Sequence, residues 1–240
     1  MASEQTVVIG DCRSMKEIHD GSIQLIVSTP PCFEWMAEDH FHEFEQYLLG
    51  LQQVFSECYR VLAKGRFICI NFCEISSCNE FPFPPHILFA LKRAGFRYHE
   101  DIIWSKPTGN DSAPDVFERT LVFRKGRVRQ PKRIGECRWE MEGAAAPCRG
   151  GPVRYTEDQR VEGQLHEELL DSLLLRYSTK GELVLDPFLG NGSLSKTAAL
   201  LGRRSIGYES DPYILRTLRP ETGKSEVRPK VVFQSERRLT

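Results

Sequence analysis

Apolar and polar positions along the 240-residue chain follow two rhythms that take turns. Short runs rich in β-branched or aromatic residues occur at Thr6–Ile9, Ile23–Ser28, Phe67–Phe72, Asp101–Trp104, Thr120–Phe123, Leu183–Leu185 and Ser205–Tyr208, and they predict strands. Between them apolar residues recur at spacings of three and four. Leu48, Leu51, Val54, Phe55, Tyr59 and Leu62 mark one face of a helix over Phe44–Leu62, closed by Lys64 and Gly65. Further helices are predicted at His86–Arg93, Glu167–Tyr177 and Ser193–Leu201. Phe67–Phe72 has almost no polar alternation, the mark of a strand covered on both faces. Strands alternating with helices of this length predict an α/β fold, a mostly parallel sheet sandwiched by helices.

Composition agrees with one sizeable core. The chain is 40% apolar and 27% charged, with a formal net charge of −1. No stretch approaches the roughly 20 apolar residues that span a bilayer, so no membrane association is expected. The N-terminal MASEQTVVIGD has no basic flank and no long apolar core, which predicts an intracellular protein, cytoplasmic in a bacterium or phage and nuclear in a eukaryote. Of the eight cysteines, Cys58, Cys69 and Cys73 fall inside predicted elements, where a free thiol is a small core residue. Cys69, Cys73 and Cys78 lack the close pairs of a zinc site, and no metal is expected.

The near-neutral total hides an uneven distribution. Acids dominate Glu34–Glu57, whereas Arg124–Arg160 carries about ten Lys and Arg against about five acids, interrupted by Gly and Pro. An insert over 125–160 is thus either a surface for a polyanion or a solvated loop.

Two stretches carry candidate chemistry. The strand Ile23–Ser28 runs straight into Thr29-Pro30-Pro31. Neither proline has an N–H to give to a ladder, and both fix φ, so the strand leaves the sheet through a stiff elbow. The elbow is a strand-terminating turn or a rigid mount for the Thr29 hydroxyl and the Pro30 and Pro31 carbonyls. The second stretch is Asp186-Pro-Phe-Leu-Gly-Asn-Gly-Ser193, lying between a strand and a helix. Gly190 and Gly192 suit a tight turn with close backbone approach to a ligand. Seventeen residues after Gly192, Glu209 ends the next strand, where a carboxylate can accept from a ribose diol. The third glycine of the dinucleotide fingerprint is absent, which favours a nucleoside ligand without a pyrophosphate.

Taken together, these segments resemble the amino-group DNA methyltransferases. Asp186–Ser193 is similar to their S-adenosylmethionine motif, D-P-F-x-G-x-G-[ST], and Thr29-Pro30-Pro31-Cys32 falls at their catalytic [DNS]-P-P-[YFW]. The catalytic motif precedes the cofactor motif with the basic insert between them, the circularly permuted β-group order. Gly10-Asp11, Tyr59–Arg66, Ile103–Pro107, Trp139-Glu140 and Glu167–Leu169 resemble further family segments, so that the likeness covers roughly residues 6 to 213. The resemblance implies a Rossmann-like, doubly wound class I methyltransferase fold, circularly permuted, as one domain over 1–240 with a target-recognition insert at 125–160. It implies DNA as partner, S-adenosyl-L-methionine as cofactor, and a setting of DNA methylation or restriction–modification, with a homodimer or partner subunit as a further possibility.

The implied chemistry explains the elbow. An exocyclic base amine is a poor nucleophile because its lone pair is delocalised into the ring. Acceptors fixed on its N–H groups favour rehybridisation as it attacks a sulfonium methyl. Thr29, Pro30 and Pro31 are the candidates for that task, with Ser28 as an alternative hydroxyl. Asp11, Asp186, Phe188, Gly190, Gly192 and Glu209 are the candidates for the cofactor: Glu209 for the ribose, Gly190, Gly192 and Asp186 for the methionine end, Asp11 and Phe188 for the adenine. Cys32 stands where the family has an aromatic ring against the flipped base, with Phe33 and Trp35 as nearby substitutes. Arg127, Arg129, Lys132 and Arg133, with Arg149 and Arg154, are candidates for DNA contacts. Val161-Glu162 replaces the family's usual His-Pro. Three functions follow: N4-methylation of cytosine, favoured by the hydroxyl of Thr29; N6-methylation of adenine; or a non-catalytic, methyltransferase-like nucleic-acid binder.

Overall fold

The computed structural model describes residues 3–31, 41–73, 83–106, 116–127, 153–154, 167–213 and 229–234. The strands are β1 (Gln5–Ile9), β2 (Ile23–Ser28), β3 (Leu62–Cys73), β4 (Arg97–Lys106), β5 (Val116–Arg124), β6 (Val153–Arg154), β7 (Leu183–Asp186), β8 (Arg204–Glu209) and β9 (Lys230–Phe233). The helices are α1 (Phe41–Val61), α2 (Phe83–Arg93), α3 (Glu167–Tyr177) and α4 (Ser193–Leu200). The nine strands among the described residues form one sheet in the order β6-β4-β5-β3-β2-β7-β8-β1-β9. Among the described residues β5 runs against its neighbours, β3 and β4, and the other pairings are parallel.

Each face of the sheet has its own core, as expected for near-continuous apolar strands. Ile26, Ile68, Ile70, Phe123, Leu185 and Tyr208 point to one side, where α1 and α2 supply Val54, Phe55, Ile87 and Leu91. Leu25, Val27, Cys69, Val122 and Val184 point to the other, against Leu170, Leu173 and Leu174 of α3 and Leu194 and Ala198 of α4. The period-two alternation of β2 therefore divides its side chains between two helical layers.

The predicted elements recur with shifted ends. Helix α1 begins at Phe41, three residues before the expected Phe44, and stops at Val61, one residue short of the expected Leu62, because Leu62 already pairs with Ile23. Gly65 instead sits inside β3 at φ 80°, and its N–H donates to the Lys125 carbonyl at 2.7 Å. The Lys125 ammonium finishes the helix from across the sheet, donating to the Arg60 and Leu62 carbonyls at 3.1 and 2.7 Å. Helix α2 begins three residues earlier than predicted, with Pro84 and Pro85 in its first turn, where a missing N–H breaks no intrahelical bond.

The order of strands fixes where a ligand can bind. From β2 the chain goes by α1 to β3 on one side, and from β7 it goes by α4 to β8 on the other. Because β2 and β7 are parallel neighbours, their outgoing connections diverge at their carboxyl ends. Such a switch point leaves a crevice that no crossover fills.

Candidate active site

Both sequence motifs open at this crevice. Strand β2 ends at Ser28 and hands over to Thr29, Pro30 and Pro31, while β7 ends at Asp186 and hands over to the glycine turn. A direct bond joins the two ends: the Ser28 hydroxyl donates to Asp186 Oδ1 at 2.5 Å. The same oxygen accepts the Phe188 N–H at 3.0 Å. Ser28 is only 2% exposed, and its hydroxyl is engaged with Asp186 from within the sheet. The half-buried Thr29 hydroxyl has no partner among the described residues. The Pro31 carbonyl, expected to point at a base amine, accepts from the Tyr47 hydroxyl at 2.7 Å.

Asp186 is buried, and burial pushes its carboxyl up to about 6; the bonds from Ser28 and Phe188 oppose that rise and the Glu209 charge adds to it. A neighbouring thiol, Cys12, is pushed up to about 12 by burial and then by Asp11, so it stays neutral at pH 7.

The glycine turn is docked onto the end of β8. Leu189 N–H donates to the Tyr208 carbonyl at 2.9 Å and Gly190 N–H donates to Glu209 Oε2 at 3.2 Å. Glu209 Oε1 accepts the Ser210 and Asp211 N–H groups at 2.8 and 3.1 Å. A carboxylate offers about four lone-pair directions, so Glu209 keeps capacity for further donors. Gly190 and Gly192 have φ of 51° and 78°, in the left-handed region that a side chain disfavours. Gly192 caps α4 with backbone alone, and the Asn191 carboxamide accepts the Ser193 N–H at 3.1 Å.

Asp11, expected near an adenine amine, is exposed and ion-paired. Arg13 Nε donates to both its oxygens at 3.0 and 2.8 Å, and this guanidinium is the main reason the Asp11 carboxyl lies below its ordinary value. Phe188 is partly buried against the α1–α2 core. Arg127 is described and exposed. Cys32, Phe33, Trp35, Arg129, Lys132 and Arg133 lie outside the described residues, as do most of the 125–160 insert and Val161-Glu162. Among the described residues no group of His, Cys, Asp or Glu could hold a metal ion. No helix there is long and apolar enough to cross a membrane.

Sequence reasoning missed several supporting residues. Gly207 lies under Leu189: a Cβ there would stand 2.3 Å from Leu189 Cδ1. Its position in a strand between two predicted ligand motifs was the available signal. Nothing local marked Tyr47 or Gln234, whose partners are remote in sequence.

The sequence profile of the DNA methylase family N6_N4_Mtase matches residues 23–219. The chain belongs to that family. It is 26% identical to the type II methyltransferase M.MjaI of Methanocaldococcus jannaschii, over 98% of this chain and 97% of that one. Its fold matches two solved methyltransferase structures. The first is the cytosine-N4-specific PvuII DNA methyltransferase, with a TM-score of 0.71, 16% identity, and 94% and 90% of the two chains covered. The second is TTHA0409 of Thermus thermophilus complexed with S-adenosyl-L-methionine, with a TM-score of 0.66, 23% identity, and 89% and 92% covered.

The residues present fit such a cofactor. A half-exposed carboxylate (Glu209) stands beside a left-handed glycine, and among the described residues beyond its chain neighbours the space a Gly190 Cβ would take is approached within 4 Å by the Phe188 carbonyl oxygen alone, at 3.9 Å. The chain is a DNA amino-methyltransferase family member with the fold expected from its motifs: α/β, mostly parallel and circularly permuted.

Proposed function

We propose that the protein transfers a methyl group from S-adenosyl-L-methionine to the exocyclic amine of a DNA base, with cytosine N4 as the target. The observation that carries this reading is the Ser28–Asp186 hydrogen bond, which holds the proline elbow and the glycine turn at one crevice. The bound cofactor supplies an electrophilic sulfonium methyl. Glu209 would accept the ribose hydroxyls, and Asp11 the adenine amine. The backbone at Gly190 and Gly192 and the N-terminus of α4 would receive the methionine end.

On the substrate side, the Thr29 hydroxyl and the Pro30 carbonyl act as acceptors for the amine N–H groups. They favour release of the nitrogen lone pair from ring conjugation as the carbon–nitrogen bond forms and the donor's carbon–sulfur bond breaks, the neutral sulfide leaving with that bonding pair and the surplus amine proton passing by these acceptors to water. The prolines hold those acceptors before a base arrives, which lowers the reorganisation needed. A base inside a stacked duplex cannot reach this crevice, so the target is flipped out. The basic segment 125–160 serves as the target-recognition insert, with Arg127, Arg129, Lys132 and Arg133 on phosphates or guanine edges. The hydroxyl at Thr29 favours cytosine; the family as a whole spans N4 and N6 targets, so adenine N6 is the second reading.

The test is direct. Purified protein is incubated with labelled S-adenosylmethionine and duplex DNA, the DNA is digested, and the modified nucleoside is identified by mass. N4-methylcytosine, lost in Thr29→Ala, is the expected result. N6-methyladenine moves the target to the second reading, and cofactor binding without any product points to a non-catalytic nucleic-acid binder.

A further inference from the structure

Three parallel strand ends lie abreast at the cofactor side of the crevice: Glu209 of β8, Ile9-Gly10 of β1 and Phe233-Gln234 of β9. Gly10 N–H donates to the Glu209 carbonyl and Gln234 N–H to the Ile9 carbonyl, both at 2.9 Å. The Gln234 side chain then folds over Gly10. Its Oε1 accepts the Asp11 N–H at 2.7 Å, and its Nε2 donates to the Ser14 carbonyl at 2.5 Å, with longer 3.5 Å approaches to the Asp11 carbonyl and Glu17 Oε2. One carboxamide therefore ties both ends of the Asp11–Ser14 loop. The contact exists because residue 10 is glycine: a Cβ there would lie 2.3 Å from Gln234 Oε1 and 2.4 Å from its Cβ.

We propose that Gln234 is a positioning residue for the cofactor, and that β9 is a working part of the cofactor pocket. The family profile ends at residue 219 and begins at 23, so the loop and its staple both lie outside it. The inference rests on the reading that Asp11 and Glu209 hold the nucleoside. With Gly10 bonded to the Glu209 backbone on one side and covered by Gln234 on the other, the staple sets the spacing between those two carboxylates. An amide is suited to this task because it offers an acceptor and a donor at once, and it carries no charge beside Asp11 and Glu17.

The experiment measures S-adenosylhomocysteine affinity by calorimetry, and KM and kcat for methyl transfer, on the full chain and on Gln234→Ala. The expected result is a rise of about tenfold in Kd and in the KM for the methyl donor, with kcat at saturating donor changed less than about twofold. Wild-type affinity in Gln234→Ala overturns the inference, as does a loss confined to kcat. Gln234→Met, which keeps the length and loses both the acceptor and the donor without adding charge, should match the alanine variant and serves if that variant folds poorly. Gly10→Ala should mimic the loss by pushing Gln234 aside, and should add little in the Gln234→Ala background; independent, multiplying losses overturn the inference. A wild-type protein that binds neither donor nor product would instead remove the cofactor reading itself.

Discussion

The glycine turn after β7 and the proline elbow after β2 leave the sheet side by side, yet the protein holds them differently. In the turn, five N–H groups are satisfied by the protein: Phe188 by Asp186, Leu189 by Tyr208, Gly190 by Glu209, Gly192 by Leu189 and Ser193 by Asn191. Leu189 is 3% exposed and wedged over Gly207. In the elbow, Pro30 and Pro31 have no N–H to satisfy, and among the described residues the side-chain ties are Ser28 to Asp186 and Tyr47 to the Pro31 carbonyl. The difference follows the chemistry proposed for each. A pocket for a recurring ligand benefits from a turn whose shape is already fixed by the protein's own bonds. A mount for acceptors must keep them available, and proline supplies a carbonyl without a competing donor.

The largest expected effect lies where the two regions touch. Asp186 titrates near 6 in the folded protein against 3.8 for an ordinary aspartate, because burial disfavours its charge. A raised acid pKa contributes stability that is complete below about pH 4 and lost as pH rises through about 6. Asn in its place keeps an acceptor for Ser28 and Phe188 but carries no charge. Asp186→Asn should therefore be more stable than wild type above about pH 6 by up to about 3 kcal/mol, with the difference vanishing toward about pH 4. Urea unfolding of both proteins across that range checks it; a pH-independent difference would mean that Asp186 is not the titrating group.

Next comes the cofactor side alone. Glu209→Gln keeps one carbonyl oxygen for the turn but replaces a charged acceptor pair. S-adenosylhomocysteine affinity should fall by roughly thirtyfold, about 2 kcal/mol, while the unfolding midpoint stays near wild type. A loss of both would show that Glu209 serves mainly to fasten Gly190.

Smaller still is the separation of two adjacent hydroxyls. Ser28→Ala leaves a buried carboxylate short of one donor and should cost about 1–2 kcal/mol of stability. Thr29→Ala, at a half-buried hydroxyl with no partner among the described residues, should cost about 0.5 kcal/mol or less in stability while abolishing most turnover. Equal stability losses would contradict the division of labour between support at 28 and chemistry at 29.

Much of this was legible from punctuation in the sequence. Proline and glycine mark where β2 ends and α4 begins, and those two marks hold to the residue: β2 closes at Ser28 and α4 opens after Gly192, while β7 runs one residue past the expected Leu185 to Asp186. What escaped was long-range. Lys230–Phe233 is a four-residue run in a basic tail, too short to announce a strand, and it becomes β9 only because β1 offers a free edge. Gln234 has no motif because the atoms it binds lie about 220 positions away, and no local pattern encodes such a pairing. The bond between Ser28 and Asp186 is hidden for the same reason, although each residue was singled out separately. Gly65 misled because a glycine after a helical face reads as its stop, while here its left-handed φ makes a bulge in the following strand.

The smallest effect tests the elbow's own fastening. The Tyr47 hydroxyl bonds the Pro31 carbonyl from α1, and Tyr47 is itself seated by stacking on Phe44 at 6.4 Å. A carbonyl has two lone pairs, so this bond need not exclude a base; it orients the peptide that follows the acceptors of Thr29 and Pro30. Tyr47→Phe removes only the hydroxyl. Stability should change by less than about 1 kcal/mol, since the contact is solvent-exposed. Turnover should fall about three- to tenfold with the KM for the methyl donor unchanged, because the cofactor turn does not touch this bond. If the hydroxyl instead competes with the base amine for the Pro31 oxygen, Tyr47→Phe will turn over faster than wild type. The sign of the change in kcat thus separates a brace from a competitor.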